Sequence, residues 1–154
     1  VRRKQNIIIT GPTGVGKSFL ACALANKACR EGFTVHFDRV TRLFQKLALA
    51  RADGRYPKVI DAIAAKNILV IDDFALFRLT EDQRHDLLEL TEDRYERGSL
   101  IITSQLPLEH WHEIVGEPTI ADAILDRVVH NSHKLQLKGE SKRTEKAANV
   151  QLAS

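Results

Sequence analysis

Gly-Pro-Thr-Gly-Val-Gly-Lys-Ser, residues 11–18, is the stretch of this sequence that decides its fold. It matches G-x-x-x-x-G-K-[ST], the pattern of a phosphate-binding loop. Its glycines allow a tight turn whose backbone N–H groups converge on an anion, and the helix that follows adds the positive end of its dipole. We expect a nucleoside triphosphate to bind through Gly11, Pro12, Thr13, Gly14, Val15, Gly16, Lys17, Ser18 and Phe19.

The segments on either side of this loop support the match. Asn6–Thr10 is a short run of apolar and β-branched residues, typical of a buried parallel strand. Phe19–Arg30 is rich in good helix formers and is followed by Gly32, a helix stop signal. An accidental match is the alternative, but strand, glycine loop and helix occur in the order that phosphate binding requires.

A second motif supplies acids for a metal ion. Asn67–Asp73 is an apolar run that ends in two carboxylates. Ligands bind at the carboxyl ends of strands in parallel α/β sheets, so we expect Asp72 to hold Mg²⁺ together with the hydroxyl of Ser18. Asp73 is the candidate for polarising the attacking water. The alternative is that the two acids merely end a strand at a turn.

A third apolar strand, Leu100–Thr103, continues into Ser104 and Gln105. If the sheet places this strand centrally, these polar side chains lie between the two motifs, where they can orient water or sense the γ-phosphate. The alternative is a polar strand end that caps the following helix.

The rest of the chain alternates strands with helices, which predicts an α/β fold with a parallel sheet covered on both faces. We expect strands at Thr34–Asp38 and His133–Leu137, and helices at Val40–Leu47, Val59–Ala65, Thr80–Arg97, Leu106–Val115 and Pro118–Val129. The polar segment 139–154 is predicted to be a mobile tail after an ATP-binding domain at 1–138. Because Val1 stands only a few residues before a core strand, we also expect an N-terminal region to be missing.

Composition limits the class of protein. The chain has 154 residues, 44% hydrophobic and 28% charged, with a formal net charge of +3, which fits one soluble domain and does not by itself predict nucleic-acid binding. No apolar run approaches the roughly 20 residues of a membrane span, so we expect a cytoplasmic protein without a membrane partner. Cys22 and Cys29 are about 10 Å apart on one helix face, too far for a disulfide, and we expect buried reduced thiols.

Taken together, Gly11–Ser18, Ile68–Asp73, Thr103–Pro107, Asp126-Arg127 and Gly139–Ser141 resemble the IstB-like ATP-binding proteins. These are transposition helpers encoded beside insertion-sequence transposases, and they are related to the DnaC/DnaI helicase loaders and DnaA initiators of the AAA+ class. The likeness covers residues 5 to 143.

The resemblance implies a P-loop NTPase with an AAA+ core of strand order 5-1-4-3-2, which uses ATP and Mg²⁺, oligomerises with ATP and binds DNA. It implies a sensor-1 role for Ser104 or Gln105. It also implies that Arg127 is an arginine finger acting in trans on the ATP of a neighbouring subunit, with Arg94 and Arg97 as lesser candidates for such contacts. For Arg127, a surface ion pair with Asp122 or Asp126 is the alternative.

Three departures from the family pattern matter, and the first is that Ser104-Gln105 stand where many AAA+ proteins have Asn at sensor 1. Asp73 stands where many AAA+ proteins have Glu, and its shorter side chain is consistent with slow hydrolysis. Only a short tail follows residue 137, so a full helical lid is not expected. Arg143 is then the single sensor-2 candidate.

In initiator-type relatives, a helical element after the second strand faces DNA. The corresponding region here is basic, and its side chains can neutralise phosphates in a salt-sensitive way. The alternative is a solvated helix face. The candidate DNA contacts are Arg39, Arg42, Lys46, Arg51, Arg55 and Lys58.

Three functions remain open at this point. The first is an ATPase that assembles on DNA and recruits or activates a transposase. The second is a helicase loader of the DnaC/DnaI kind, with a replicative helicase as its partner. The third, a P-loop kinase for a small molecule, requires an arginine-rich catalytic lid that the short tail does not supply.

Overall fold

Strands and helices alternate along residues 2–139, the part of the chain that the computed structural model describes. The strands are β1 (Asn6–Thr10), β2 (Val35–Arg39), β3 (Ile68–Asp72), β4 (Ser99–Ser104) and β5 (Ser132–Gln136). The helices are α1 (Lys17–Arg30), α2 (Val40–Ala52), α3 (Tyr56–Ala64), α4 (Glu81–Arg94), α5 (Trp111–Val115) and α6 (Pro118–Val129). A single 3₁₀ turn, Leu108–His110, precedes α5. Arg143 and the predicted tail beyond Gly139 lie outside the described residues.

The strands form one parallel sheet in the order β2-β3-β4-β1-β5. This is the order 5-1-4-3-2 read from the other edge, so the expected α/β class and topology are confirmed. Every residue of β3 and β4 is buried, because these strands lie inside the sheet and both faces are covered. All five strands end at the same edge, which brings the segments after β1, β3 and β4 together.

The two faces of the sheet are packed differently. On one face, α1 lays the small side chains Ala21, Ala25 and Ala28 against Ile9 and Val70. Small residues at this spacing let the helix approach the sheet closely, which holds the start of α1 at the end of β1. The other face carries the larger core, built from these fully buried side chains among others: Leu43, Leu47, Leu69, Leu90, Trp111 and Val115.

Helix α4 begins as predicted, but it ends earlier than predicted. Thr80 accepts from Gln83 N–H at 3.2 Å and the Gln83 side chain accepts from Thr80 N–H at 3.0 Å, so the capping box is confirmed. The predicted end at Arg97 is wrong, because the helix stops at Arg94 and Glu96 adopts a left-handed backbone with φ 60°. The cause is the side chain of Arg94, which is bound to the backbone beneath the helix.

Arg94 is a structural residue. It is 1% exposed, and burial lowers its pKa to about 10. Its guanidinium donates to backbone carbonyls between 2.7 and 3.3 Å away, which join the end of α3 to the starts of β3 and β4: Ile63, Ala64, Lys66, Asn67 and Ser99. Because the side chain is buried and both Nη1 and Nη2 are bonded inside the domain, Arg94 is not available for the intersubunit contact that the sequence suggested, so that expectation is wrong.

Cys22 and Cys29 are free and exposed, not buried as expected, because α1 turns its alanines toward the sheet and the cysteines away from it. Within residues 2–139, no helix combines the length and the apolar character needed to cross a bilayer.

Replacing Arg94 by Lys should lower the free energy of unfolding by about 3 kcal/mol, because one ammonium group cannot bond all the carbonyls and buried acceptors lose their partners. Urea unfolding followed by circular dichroism measures this. Arg97→Lys, at an exposed position three residues later, is the matched control and should change stability by less than about 0.5 kcal/mol. Equal losses for the two variants would contradict the structural role of Arg94.

Candidate nucleotide-binding site

The phosphate loop connects β1 to α1 at the carboxyl edge of the sheet. Gly14 and Gly16 have φ values of 86° and 98°, a left-handed backbone that glycine adopts without strain. Gly11 allows a close approach, since a Cβ there would lie 2.6 Å from the carbonyl oxygen of Leu137. These glycines let the loop fold tightly over the end of the sheet and open α1 at Lys17.

Lys17 lies inside this loop. Its side chain is nearly buried, and Nζ donates to the carbonyl of Pro12 at 2.8 Å. Burial lowers its pKa from the ordinary value, while the nearby carboxylates of Asp73 and Asp72 act in the opposite direction. A positive charge held among backbone N–H groups, with few other partners, is suited to binding phosphate.

Ser18 and Asp72 provide oxygen ligands beside the loop. Ser18 Oγ lies 2.9 Å from both carboxylate oxygens of Asp72, which is 3% exposed. A hydroxyl and a carboxylate side by side fit Mg²⁺, which takes few protein ligands and completes its shell with phosphates and water. Among the described residues, no cluster of three or more His, Cys, Asp or Glu side chains would hold a metal alone.

Asp73 follows the last residue of β3 and has a left-handed backbone, with φ 57°. Its carboxylate lines the same cavity as the loop and lies 3.7 Å from Nε of Arg39, at the end of β2. Few non-glycine residues adopt this conformation, although aspartate does so more readily than most, and the surroundings hold it here. Here the backbone N–H of Asp73 donates to Thr103 Oγ1 at 3.0 Å.

Thr103 is a site residue that no sequence pattern predicted. It is fully buried, and its hydroxyl donates to Asp72 Oδ1 at 2.5 Å while accepting from the N–H of Asp73. One hydroxyl therefore fixes both acids. The signal available in the sequence was a polar, hydrogen-bonding residue at the tip of an otherwise apolar strand, but a threonine is also an ordinary strand residue.

Ser104 and Gln105, left as alternatives by the sequence, lie in different places. Ser104 is fully buried, and its hydroxyl donates to the carbonyl of Phe74 and accepts from Leu106 N–H, so it holds the backbone and does not face the nucleotide cavity. Gln105 lines the cavity, with Oε1 accepting from the Thr13 hydroxyl at 2.7 Å. Of the two, the structure brings only Gln105 to the cavity.

These side chains surround a cavity of about 550 Å³ at the carboxyl edge of the sheet. The sequence did not assign Arg39 or Leu76 to it, because each reaches the cavity from a separate strand end or loop. Phe19 is 77% exposed and Leu76 41%, so two apolar side chains border the opening. The cavity is lined by Thr13, Gly14, Gly16, Lys17, Ser18, Phe19, Arg39, Asp73, Leu76 and Gln105.

Arg127 lies at the opposite edge of the sheet. The side-chain amide of Asn6, the first residue of β1, donates to the carbonyl of Arg127. β1 has five residues and spans about 16 Å, so Arg127 is far from the loop of its own chain. Its guanidinium donates to the Ala123 carbonyl at 2.9 Å and lies 3.3 Å from Glu92, so the expected alternative pairs with Asp122 and Asp126 do not form.

The candidate DNA contacts do not form one free basic surface. Arg51 lies against buried Asp86 at 2.5 Å and stacks 4.4 Å from the ring centroid of Tyr56, which makes it part of the packing between α2, α3 and α4. Burial raises the pKa of Asp86 and of Tyr56. Three further positions form ion pairs: Arg39 with Asp73, Lys46 with Asp38 and Arg55 with Asp53.

Arg42 and Lys58 are the remaining members of that set. Both are exposed, and neither forms an ion pair with any residue in the described range 2–139. They are therefore the members that are free to contact an external polyanion.

Over nearly its whole length, the chain is similar in sequence to known proteins. The putative insertion sequence ATP-binding protein y4pL of Sinorhizobium fredii (strain NBRC 101917 / NGR234) is 59% identical over 139 residues, 90% of this chain and 57% of that protein. The insertion sequence IS21 putative ATP-binding protein of Pseudomonas aeruginosa is 36% identical over 143 residues, 93% of this chain and 54% of that protein. The chain thus spans somewhat more than half the length of these relatives.

Solved structures share the fold at low identity. The structure of DnaI matches with a TM-score of 0.79 at 18% identity, covering 89% of this chain and 75% of that one. AMPPCP-bound DnaA from Aquifex aeolicus matches with a TM-score of 0.75 at 19% identity, covering 97% of this chain and 45% of that one.

The family model described as "IstB-like ATP binding protein" matches residues 1–150. This range includes the phosphate loop, the two acids at the end of β3 and all five strands of the sheet. The chain therefore belongs to the family of IstB-like ATP binding proteins, built on the AAA+ fold that it shares with DnaA and DnaI.

Proposed function

We propose that this chain is the ATPase core of a transposition helper, which binds and hydrolyses ATP, oligomerises on DNA and recruits or activates a transposase. The observation that carries the proposal is the contact of Ser18 with Asp72 beside the phosphate loop, because it joins the phosphate-binding and metal-binding halves of one site. Membership of an ATP-binding family supports it, as do relatives whose names place them in insertion sequences.

ATP binding follows from the loop. Its backbone N–H groups and Lys17 hold the β- and γ-phosphates, and Phe19 lies beside them. Ser18 and Asp72 would hold Mg²⁺, which neutralises charge on the phosphates when bound. Asp73 accepts a hydrogen bond from the attacking water, and Gln105 orients the γ-phosphate or that water.

Two features favour slow turnover. The carboxylate of Asp73 reaches less far into the cavity than a glutamate would. It also lies 3.7 Å from Nε of Arg39, so this cation competes with the attacking water for the carboxylate. We infer that hydrolysis accelerates when assembly or DNA draws Arg39 away from Asp73.

Hydrolysis also requires a second copy of the chain. Arg127 lies at the amino-terminal edge of the sheet and the loop at the carboxyl edge, so Arg127 can serve as an arginine finger only in trans. Such a finger stabilises charge on the transferred phosphoryl group and is worth about 10³–10⁵ in rate. ATP then acts as the link between neighbouring copies, and its hydrolysis releases them.

The proposed partners are DNA, further copies of the chain and a transposase. For DNA we propose contacts by Arg42 and Lys58, with Arg39, Lys46 and Arg55 joining only if their ion pairs open. A transposase is favoured over a replicative helicase because the sequence relatives are insertion-sequence proteins, whereas the likeness to DnaI concerns the fold alone. We place the activity in the cytoplasm, in a domain over residues 1–138.

Removing the Thr103 hydroxyl should lower ATP turnover about tenfold or more, because Asp72 and Asp73 lose the group that fixes them. Thr103→Val keeps the shape, and Thr103→Ser keeps the hydroxyl and should retain most activity. The measurements are kcat, the Mg²⁺ concentration for half-maximal rate and the Kd for ATP. Equal turnover in the two variants, both folded by circular dichroism, would rule out the positioning role.

Complementation between two inactive variants tests the trans arrangement. Lys17→Ala should lose ATP binding, whereas Arg127→Ala should bind ATP but turn over about 10³-fold more slowly. An equimolar mixture should recover part of the wild-type rate, because the first variant supplies Arg127 to the intact loop of the second. A mixture no more active than its components would contradict a finger acting in trans.

Assembly on DNA is tested by particle size and turnover in the full chain. A non-hydrolysable ATP analogue should produce oligomers, and duplex DNA should raise the ATPase rate. Arg42→Ala and Lys58→Ala should each weaken DNA binding and reduce its salt slope by about 1. Lys27→Ala, an exposed change on α1, is the control and should do neither. Strictly monomeric behaviour with both ligands would refute the assembly model.

A further inference from the structure

A second polar cleft lies at the amino-terminal edge of the sheet, opposite the nucleotide cavity. Its volume is about 250 Å³. Three connections form its walls: the residues before β1, the α4–β4 connection and the end of α6 with the α6–β5 connection. The charged or polar side chains that matter here are Arg3, Lys4, Glu96, Arg127, His130 and Asn131.

Each wall of this cleft contains one non-glycine residue with a left-handed backbone. The φ values are 57° for Lys4, 60° for Glu96 and 56° for Asn131. Asparagine adopts this conformation readily, but lysine and glutamate do so only at an energetic cost, and such strain is concentrated at functional sites. The other two such residues in the described chain, Asp73 and Ala75, follow β3 at the nucleotide site.

The cleft is positively charged. Arg3 and Lys4 are exposed and form no ion pair with any of residues 2–139, and Arg127 adds a third cation. Glu96 is the single acid in the lining. Arg94 forms part of the wall, but its guanidinium is bound to backbone carbonyls and its role is to hold the wall in place.

We propose that Arg3 and Lys4 act with Arg127 as one cationic cleft that binds the terminal phosphates of a nucleotide carried by a second copy of the chain. This inference rests on the proposed function, in which Arg127 acts in trans. It adds a phosphate-binding role for two residues before β1. The nucleotide of the same chain is excluded as the ligand, because about 16 Å of β1 separates the two sites.

Glu92 is the internal competitor of that phosphate. Its carboxylate lies 3.3 Å from the Arg127 guanidinium, and about half of its side chain is exposed. A partly exposed ion pair of this kind is weak, whereas a phosphate with more charge and three acceptor oxygens binds arginine more strongly. The second copy's nucleotide therefore displaces Glu92, and the cations of Arg3 and Lys4 favour the exchange.

The test is the double variant Arg3→Gln with Lys4→Asn in the full chain. Asparagine tolerates the left-handed backbone at position 4, so the change removes charge without adding strain. Turnover at saturating ATP should fall about tenfold, while the Kd for ATP changes less than about twofold. Adding Lys17→Ala chains, which carry an intact cleft, should restore turnover.

A matched control removes the same two charges elsewhere. Arg30→Gln with Lys134→Gln, at exposed positions outside the cleft, should leave turnover and thermal unfolding unchanged. Lys4→Gly distinguishes the effect of the charge from that of backbone strain, because glycine adopts the left-handed conformation without strain. This variant should unfold at no lower temperature than wild type, yet it should still hydrolyse ATP more slowly.

Glu92→Gln should have the opposite effect. Removing the competing carboxylate should lower the protein concentration needed for half-maximal ATPase several-fold, and it should have no effect in an Arg127→Ala background.

The outcomes separate the two proposals. If the Lys17→Ala and Arg127→Ala mixture is active but Arg3→Gln/Lys4→Asn behaves like its control, Arg127 still acts in trans. The phosphate-binding role of Arg3 and Lys4 is then refuted. An inactive mixture refutes both.

Discussion

The buried carboxylate of Asp72 is the group on which the nucleotide site depends. It receives Ser18 from the start of α1 and Thr103 from the end of β4, so three segments of the chain meet at one side chain. Burying a carboxylate is unfavourable unless its oxygens are hydrogen-bonded. The same bonds that stabilise it also fix the distance between the phosphate loop and Asp73. The backbone N–H of Asp73 donates to the hydroxyl of Thr103.

Arg94 is the counterpart of Asp72 at the other edge of the sheet. One buried anion organises the carboxyl ends of the strands, and one buried cation bonds carbonyls at their amino ends. Each of these edges carries a cleft bordered by strained backbone, and the strain persists because the surrounding structure fixes it. Because the phosphate loop lies at one edge of the sheet and Arg127 at the other, the proposed arginine finger can reach only a nucleotide held by another copy of the chain.

The sequence predicted correctly those features that depend on interactions between residues close together in the chain. β1 has its predicted bounds because an apolar, β-branched run leaves few other structures open, and the capping box of α4 formed because its partners are three residues apart. The end of α4 was wrong because it depends on Arg94, whose carbonyl partners lie up to 31 residues away. The burial of Cys22 and Cys29 was wrong because only the packed sheet determines which face of α1 is covered.

By itself, the sequence determined the phosphate loop, the strand that ends in two acids and the fold class, because turn geometry and hydrophobic periodicity are local. The tertiary structure decided which polar residue after β4 reaches the cavity, that Thr103 bonds both acids, and that Arg51 serves packing. It also decided that Arg127 lies beyond reach of its own loop. These outcomes depend on strand register and on contacts between distant segments, which no short stretch of sequence specifies.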